Sequence, residues 1–157
     1  MSKLWQKDTE TERSVEKFTV GNDRELDNQL AAFDVLGSLA HTRMLESIGL
    51  LDKNDLAQVQ AGLKLIFKEI QEGKFRIEAD VEDVHSQVEL LLTRRVGDAG
   101  KKIHSGRSRN DQVLVDLKLF FRSEIQGIVK NTELLFNQLI SQSEEHKNKL
   151  LPGYTHL

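Results

Sequence analysis

Three short stretches of this chain hold the residues able to do chemistry. The first is Lys101-Lys102-Ile103-His104-Ser105-Gly106-Arg107-Ser108-Arg109-Asn110-Asp111. From Arg94 to Arg109 the chain gathers Arg94, Arg95, Lys101, Lys102, Arg107 and Arg109 against Asp98 alone, although its net charge is -3. Free backbone N–H groups at a helix start, flanked by Ser, Arg and Asn donors, suit an anion. Arginine also holds a carboxylate through two parallel hydrogen bonds. The plainer alternative is a solvated basic loop in which Asn110 or Asp111 only caps the helix.

The second stretch is Leu151-Pro152-Gly153-Tyr154-Thr155-His156-Leu157, which sets a hydroxyl beside a histidine. An unperturbed imidazole titrates at about 6.5, so His156 suits proton transfer near neutral pH. Its alternative is a helix-terminating Pro-Gly turn with an ordinary histidine. The third is Glu82-Asp83-Val84-His85, where His85 is a substrate contact or, as its acid-rich surroundings favour, a surface or N-terminal-turn histidine. His41, His85, His104, His146 and His156 are scattered without ligand spacing, and no glycine-rich phosphate signature occurs, so neither metal nor cofactor is expected.

The elements that must position these residues read as helices throughout. Residues 1–22 have weak periodicity and suggest an extended arm around Trp5 and Phe18. Asp23 is expected to cap a helix running to about Ser47, with Leu26, Leu30, Phe33, Leu36, Leu39, Ala40 and Met44 inward and Gly49 as its stop. Asp52 with Asp55 opens a second helix through Leu56, Val59, Leu63, Ile66 and Ile70, ended by Gly73. Phe75–Glu78 alternates like an extended connector. Asp80 then starts a third helix on Val84, Val88, Leu91 and Leu92 that stops at Gly97.

Gly97–Arg109 is rich in Gly, Ser and basic residues and reads as a loop. From Asn110 or Asp111 to Leu150 the helical pattern is broken only by Gly127, with Val113, Leu117, Phe120, Leu135 and Leu139 on one stripe and Ile125 and Ile128 near it. Forty residues or so at 1.5 Å each span about 60 Å, a length that suits a helix bundle shared with further segments. The expected division is therefore a helical domain over 1–109 and the start of a bundle over 110–157.

Composition bounds the class. The 157 residues are 38% hydrophobic and 30% charged, enough apolar material for a packed core. A net charge of -3 argues against a dedicated nucleic-acid or membrane-surface binder, which carries a basic excess. The absence of cysteine excludes disulfides and thiolate chemistry. No signal-like or membrane-spanning apolar run is present, so a soluble, cytoplasmic protein is expected.

Taken together, the three stretches resemble one family in order and spacing. Gly106-Arg107-Ser108-Arg109-Asn110-Asp111-Gln112-Val113 and Pro152-Gly153-Tyr154-Thr155-His156-Leu157 are similar to two of the three blocks of the fumarase/aspartase superfamily. Glu82-Asp83-Val84-His85 and Asp34-Val35-Leu36-Gly37-Ser38 with Ala40 resemble its argininosuccinate lyase branch, to which the delta-crystallins are related. The resemblance runs from about Phe18 to the last residue. Two features depart from it: Trp5 is followed by Gln6-Lys7-Asp8 where the family has Trp-Gly-Gly-Arg-Phe, and the family's early serine has no counterpart, Asn22 or Asp23 lying nearby.

The resemblance implies a homotetramer built on a core of long helices, with each active site assembled from three subunits and no metal or organic cofactor. The implied reaction is reversible elimination of fumarate from argininosuccinate to give arginine. Carried over by position, Ser108, Arg109 and Asn110 bind the succinyl carboxylates, Thr155 contacts substrate and His156 is the proton-transfer histidine. Asp27 and His85 match positions near the arginine-like end. The family's third block, a Gly-Ser-Ser-x-Met-Pro-x-Lys-x-Asn loop, is not in these 157 residues, so the chain alone is expected to be inactive. Other readings are another lyase of the superfamily such as adenylosuccinate lyase, a noncatalytic crystallin-like protein, or a helical module whose basic loop binds nucleic acid.

Overall fold

A computed structural model describes Phe18 and residues 21–156. Trp5 and the rest of the expected N-terminal arm lie outside the described residues. The described chain is all-α, as expected, and no strand occurs among those residues. It runs α1 (Asp23–Asp27), α2 (Ala31–Ser47), α3 (Lys53–Gln71), α4 (Val84–Val96), α5 (Asp98–Lys101), a 3-10 turn over Lys102–His104, and α6 (Arg109–His146). Two compact units divide it, residues 1–120 and residues 121–157.

Within the first unit, α2, α3 and α4 pack around Val35, Val59, Leu63, Ile66, Val84, Val88 and Leu92, all fully buried. Burying each such side chain stabilises the fold by about 1.5–3 kcal/mol relative to exposure. The helix punctuation acts as the sequence indicates in two places. Asp52 accepts the Asp55 N–H at 2.8 Å to start α3. Gly49, at φ +79°, ends α2 while the Leu50 N–H returns to the Leu45 carbonyl at 2.9 Å, a conformation an L side chain would strain.

Other boundaries differ from expectation. The helix expected from Asp23 is broken at Asn28–Leu30, and Asn22 rather than Asp23 occupies the cap position, without a side-chain bond. Asp80 does not start the third helix. Asp83 does, accepting the Ser86 N–H at 2.7 Å. Gly97–Arg109 is not a plain loop but holds α5 and the 3-10 turn. Gly100 makes this possible, since a Cβ there would stand 2.8 Å from the Thr93 backbone nitrogen.

The inward face of α2 also differs. Leu36, Ala40 and Met44 are exposed, as is Leu26 of α1, while Leu30 and Leu39 pack half-buried against the core, and the buried positions of α2 are Ala31, Asp34, Val35, Ser38, Thr42 and Leu45. Apolarity pointed to the wrong side because polar partners satisfy the true one. Thr42 donates to the Ser38 carbonyl at 2.9 Å, and Gln60 of α3 donates to Thr42 Oγ1 and the Leu39 carbonyl, both at 2.8 Å. A buried polar group with such partners no longer opposes burial.

Ser108, rather than Asn110 or Asp111, precedes and caps α6. Its N–H donates to Asp111 Oδ2 at 2.7 Å, and the Asp111 N–H returns to Ser108 Oγ at 3.3 Å, the reciprocal pairing of a capping box. Along α6 in the first unit the buried residues are Gln112 and Asp116, while Val113, Leu117 and Phe120 are half-buried. The Phe33 and Phe120 rings meet edge-to-face at 5.9 Å. The second unit continues α6 to His146, short of the expected Leu150, and exposes Ile125, Ile128, Leu135 and Leu139. Among the described residues no helix is long and apolar enough to cross a membrane.

Candidate functional site

The start of α6 presents the first of the sequence-predicted stretches. Its local positive charge is largely met by partners from elsewhere in the fold. Arg94 pairs with Glu78, Arg95 with Glu69 at 2.6 Å, Lys101 with Asp98 at 2.7 Å, and Lys102 with Asp55. These pairs depress the Glu78 and Asp98 carboxyls below their ordinary range, through the Arg94 hydrogen bond and the Lys101 hydrogen bond respectively. The stretch is therefore a scaffold of ion pairs and not the basic patch its composition suggests.

Arg109 is likewise engaged. Its Nη2 donates to Ser86 Oγ at 3.0 Å and its Nε stands 3.2 Å from Asp83 Oδ2, so it ties the start of α6 to the start of α4. Ser108 and Asn110, on either side, are exposed. The segment thus offers two polar side chains outward while its arginine is held inward. Asp27 lies by the same α4 start, its Oδ2 accepting the Val84 N–H at 3.4 Å.

Behind this segment is a buried polar cluster drawn from three helices. His85 is only 3% exposed, which corrects its reading as a surface histidine. Its Nδ1 is hydrogen-bonded to Asp34 Oδ1 at 2.8 Å and stands 3.6 Å from Asp116 Oδ2. Gln112 Nε2 approaches the same Asp34 oxygen at 3.5 Å. Arg107 Nη2 donates to Ser38 Oγ at 2.9 Å, fastening the segment to α2. Gly37 brings α2 and α6 close, since a Cβ there would meet Val115 Cγ1 at 3.3 Å. A cavity of about 110 Å³ opens beside the cluster between His41, Arg107, Gln112 and Asp116.

Burial dominates the electrostatics here. It pushes the Asp116 carboxyl up to about 7, with Asp34 and Asp27 adding to the rise and His85 and Arg107 opposing it. Burial also lowers the Arg107 guanidinium from its usual value against the pull of Asp34 and Asp116. It lowers His41, against the hydrogen bond of its Nε2 to the Ser105 carbonyl at 2.8 Å.

Asp34, His85 and Asp116 each place one ligand atom within 4.8 Å of the others, a spacing that a cation also accepts. No sequence motif joins positions 34, 85 and 116, so scanning for ligand spacing misses the group. The His85 Nδ1–Asp34 Oδ1 bond already engages two of these groups, and the nearby Arg107 cation acts on both carboxyls.

Thr155 and His156 belong to the second unit, where both are exposed in the segment after α6. The cluster residues to which sequence alone assigned no chemical role are Asp34, Gln112 and Asp116. For Gln112 and Asp116 the signal was two polar residues four apart on an otherwise apolar helical face, which is legible only once that face is known to be buried.

A family model described as lyase matches residues 1–157. The chain is similar to the argininosuccinate lyase of Bacteroides thetaiotaomicron, 63% identical over 155 residues, which is 99% of this chain and 35% of that protein. It is similar to that of Parabacteroides distasonis at 61% over 155 residues, again 99% and 35%. The argininosuccinate lyase of Geobacter metallireducens is 42% identical over 147 residues, 94% of this chain and 32% of that protein. The chain thus spans about a third of the length of these curated relatives. With its whole length matched by the model, the chain belongs to the lyase family.

Proposed function

We propose that this chain supplies the N-terminal part of an argininosuccinate lyase, with residues 1–109 as its helical domain and 110–157 opening its helix bundle. The observation that carries this is the match over 155 residues to argininosuccinate lyases at 63% identity, with Ser108 and Asn110 exposed at the start of α6. In this reading their side chains and the free N–H groups of the helix start receive the succinyl carboxylates of argininosuccinate. Arg109, held by Asp83 and Ser86, fixes the segment from behind and adds positive charge to it.

The reaction breaks a carbon–nitrogen bond. A proton leaves the carbon beside a carboxylate and the electron pair moves onto that carboxylate; the pair then returns to form the carbon–carbon double bond of fumarate as the guanidino nitrogen of the arginine part departs and takes up a proton. The developing charge requires preorganised donors, the role given to Asn110 and to Ser108, whose hydroxyl must turn from Asp111 to the substrate. Proton transfer is given to His156, with Thr155 contacting substrate. Asp27 and His85 belong near the arginine-like end, His85 lying beneath the surface in its bond to Asp34. With this reading go a role in arginine biosynthesis, a cytoplasmic location, a four-subunit assembly and no cofactor.

The test replaces the matching 155 residues of the Bacteroides thetaiotaomicron protein with this chain and follows fumarate release. Turnover of argininosuccinate but not adenylosuccinate, lost in His156→Ala, is expected. A folded chimaera that releases no fumarate would sink the reading.

A further inference from the structure

The elimination uses no side chain of the buried cluster directly. We propose that Asp34, His85 and Asp116 form a proton-sharing lock that holds the first turns of α6 against α2 and α4, with His85 and Asp116 as positioning residues for the Ser108–Asn110 segment. The lock itself stands on geometry, and only its consequence for turnover rests on the function proposed above.

The three residues come from three helices and are each at most 3% exposed. His85 Nδ1 is hydrogen-bonded to Asp34 Oδ1 at 2.8 Å and stands 3.6 Å from Asp116 Oδ2, beyond hydrogen-bond reach. Asp34 Oδ2, Asp116 Oδ2 and Gln112 Oε1 are buried without a partner. Arg107 Nε is a buried donor of the cluster that also lacks a partner, so three acceptors stand against one donor. A protonated carboxyl reduces that deficit, because it turns one acceptor into a donor. Two carboxylates sharing such a site do not both ionise readily.

The groups facing Asp116 are Asp27 from α1, Asp34 from α2, His85 from α4 and Arg107 from the segment before α6, with Glu89 of α4 acting in turn on Arg107. His41 of α2 and Asp111 of α6 line the cavity beside Asp116. Asp27, Asp34 and burial favour the proton, and the cationic or potentially cationic His85 and Arg107 oppose it. The balance leaves Asp116 titrating around neutrality. When the proton leaves, two buried carboxylates face each other across His85, and relief comes by α6 moving off α2. Gly37 leaves little slack for any other adjustment, with its Cβ position only 3.3 Å from Val115. Asn110 lies within two turns of Asp116 on that same rigid element, and Ser108, which caps it, moves with it.

The test has two parts. In the 157-residue chain labelled at aspartate carboxyl carbons, NMR should find one carboxyl titrating near 7 that is absent in Asp116→Asn. Hydrogen-exchange protection of the Ser108–Gln112 amides, corrected for intrinsic rates, should fall on the order of tenfold from about pH 6 to about pH 8, and stay level in Asp116→Asn. Should Asp116→Asn fail to fold, Asp34→Asn serves: removing the facing carboxylate must move the Asp116 titration down. No aspartate titrating above about 5, or protection that falls equally in Asp116→Asn, overturns the lock.

In the chimaera, KM for argininosuccinate should rise over the same pH interval with kcat little changed, and the rise should vanish in Asp116→Asn. An active chimaera whose KM keeps its pH dependence in Asp116→Asn overturns the positioning role. An inactive chimaera with the carboxyl titration intact instead sinks the functional reading, while the lock is decided by the first part.

Discussion

Ser108 and Asp111 satisfy each other at the start of α6, the Ser108 N–H donating to Asp111 Oδ2 at 2.7 Å while Ser108 Oγ accepts the Asp111 N–H at 3.3 Å. Ser108 Oγ also donates to the same carboxylate oxygen at 2.9 Å. The hydroxyl assigned to substrate thus also organises the helix end that would receive it. Ser108→Ala should cost about 1 kcal/mol of stability in chemical denaturation of the chain. Unchanged stability would show that the pairing contributes nothing to the fold.

The same pairing makes one acid-side prediction. The Ser108 N–H holds the Asp111 carboxyl below its ordinary value, so this contribution is present above the unfolded-state titration near 3.8 and is lost as pH falls through the lower folded value. Melting temperature should drop more steeply below about pH 4 in the wild type than in Asp111→Asn. Parallel acid profiles would remove Asp111 from the account.

Asp116 acts with the opposite sign. Its folded value, raised to about 7, lies above the ordinary 3.8, so the stability it contributes is complete below 3.8 and declines as pH rises toward about 7. Asp116→Asn should therefore flatten the stability curve through that interval and gain most relative to wild type on the alkaline side. Calorimetry across the interval reads this, and a wild-type loss retained in Asp116→Asn would contradict it.

Asn110 is exposed and lies outside the capping pair, so its side chain is free for substrate work. In the chimaera, Asn110→Ala should lower kcat about 10²–10³-fold, the typical effect of removing one preorganised donor, with little change in melting temperature. Normal turnover would leave this position without a role in the reaction.

Two glycines separate close approach from mere flexibility. At Gly100 a Cβ would meet the Thr93 backbone at 2.8 and 2.9 Å, and backbone cannot step aside, so Gly100→Ala should destabilise by about 1–3 kcal/mol. At Gly127, inside α6, nothing lies within 4 Å, and alanine should stabilise the helix by about 0.5–1 kcal/mol. Denaturation midpoints of both variants check the pair, and equal effects would defeat it.

The face of α6 in the second unit leaves Phe121, Ile125, Ile128 and Phe136 each more than half exposed. A contiguous apolar strip of this kind favours association. The chain should sediment as an oligomer at high concentration and shift toward monomer in Ile125→Glu/Ile128→Glu with the helix intact by circular dichroism. A wild type that stays strictly monomeric would refute this.

Much of this protein was legible in its residues alone. The all-helical class, the stops at Gly49, Gly73 and Gly97, and the Asp52 cap all follow from local chemistry, because turn conformations and cap bonds are made within a few residues. The motif around Ser108–Asn110 was legible for the same reason: order and spacing along the chain carry it. On α3 and α4 the apolar positions Val59, Leu63, Ile66, Val84, Val88 and Leu92 are buried as their periodicity indicates, and what tertiary structure alone decided is which face of α2 is buried. On α2, Leu36 and Met44 went outward and Asp34, Ser38 and Thr42 inward, since Gln60, His85 and Arg107, from 18 to 69 positions away, arrived as hydrogen-bond partners. Apolar periodicity assumes that only apolar groups are buried. A polar face with distant partners breaks that assumption, and the Asp34–His85–Asp116 cluster could be seen only after the helices had met.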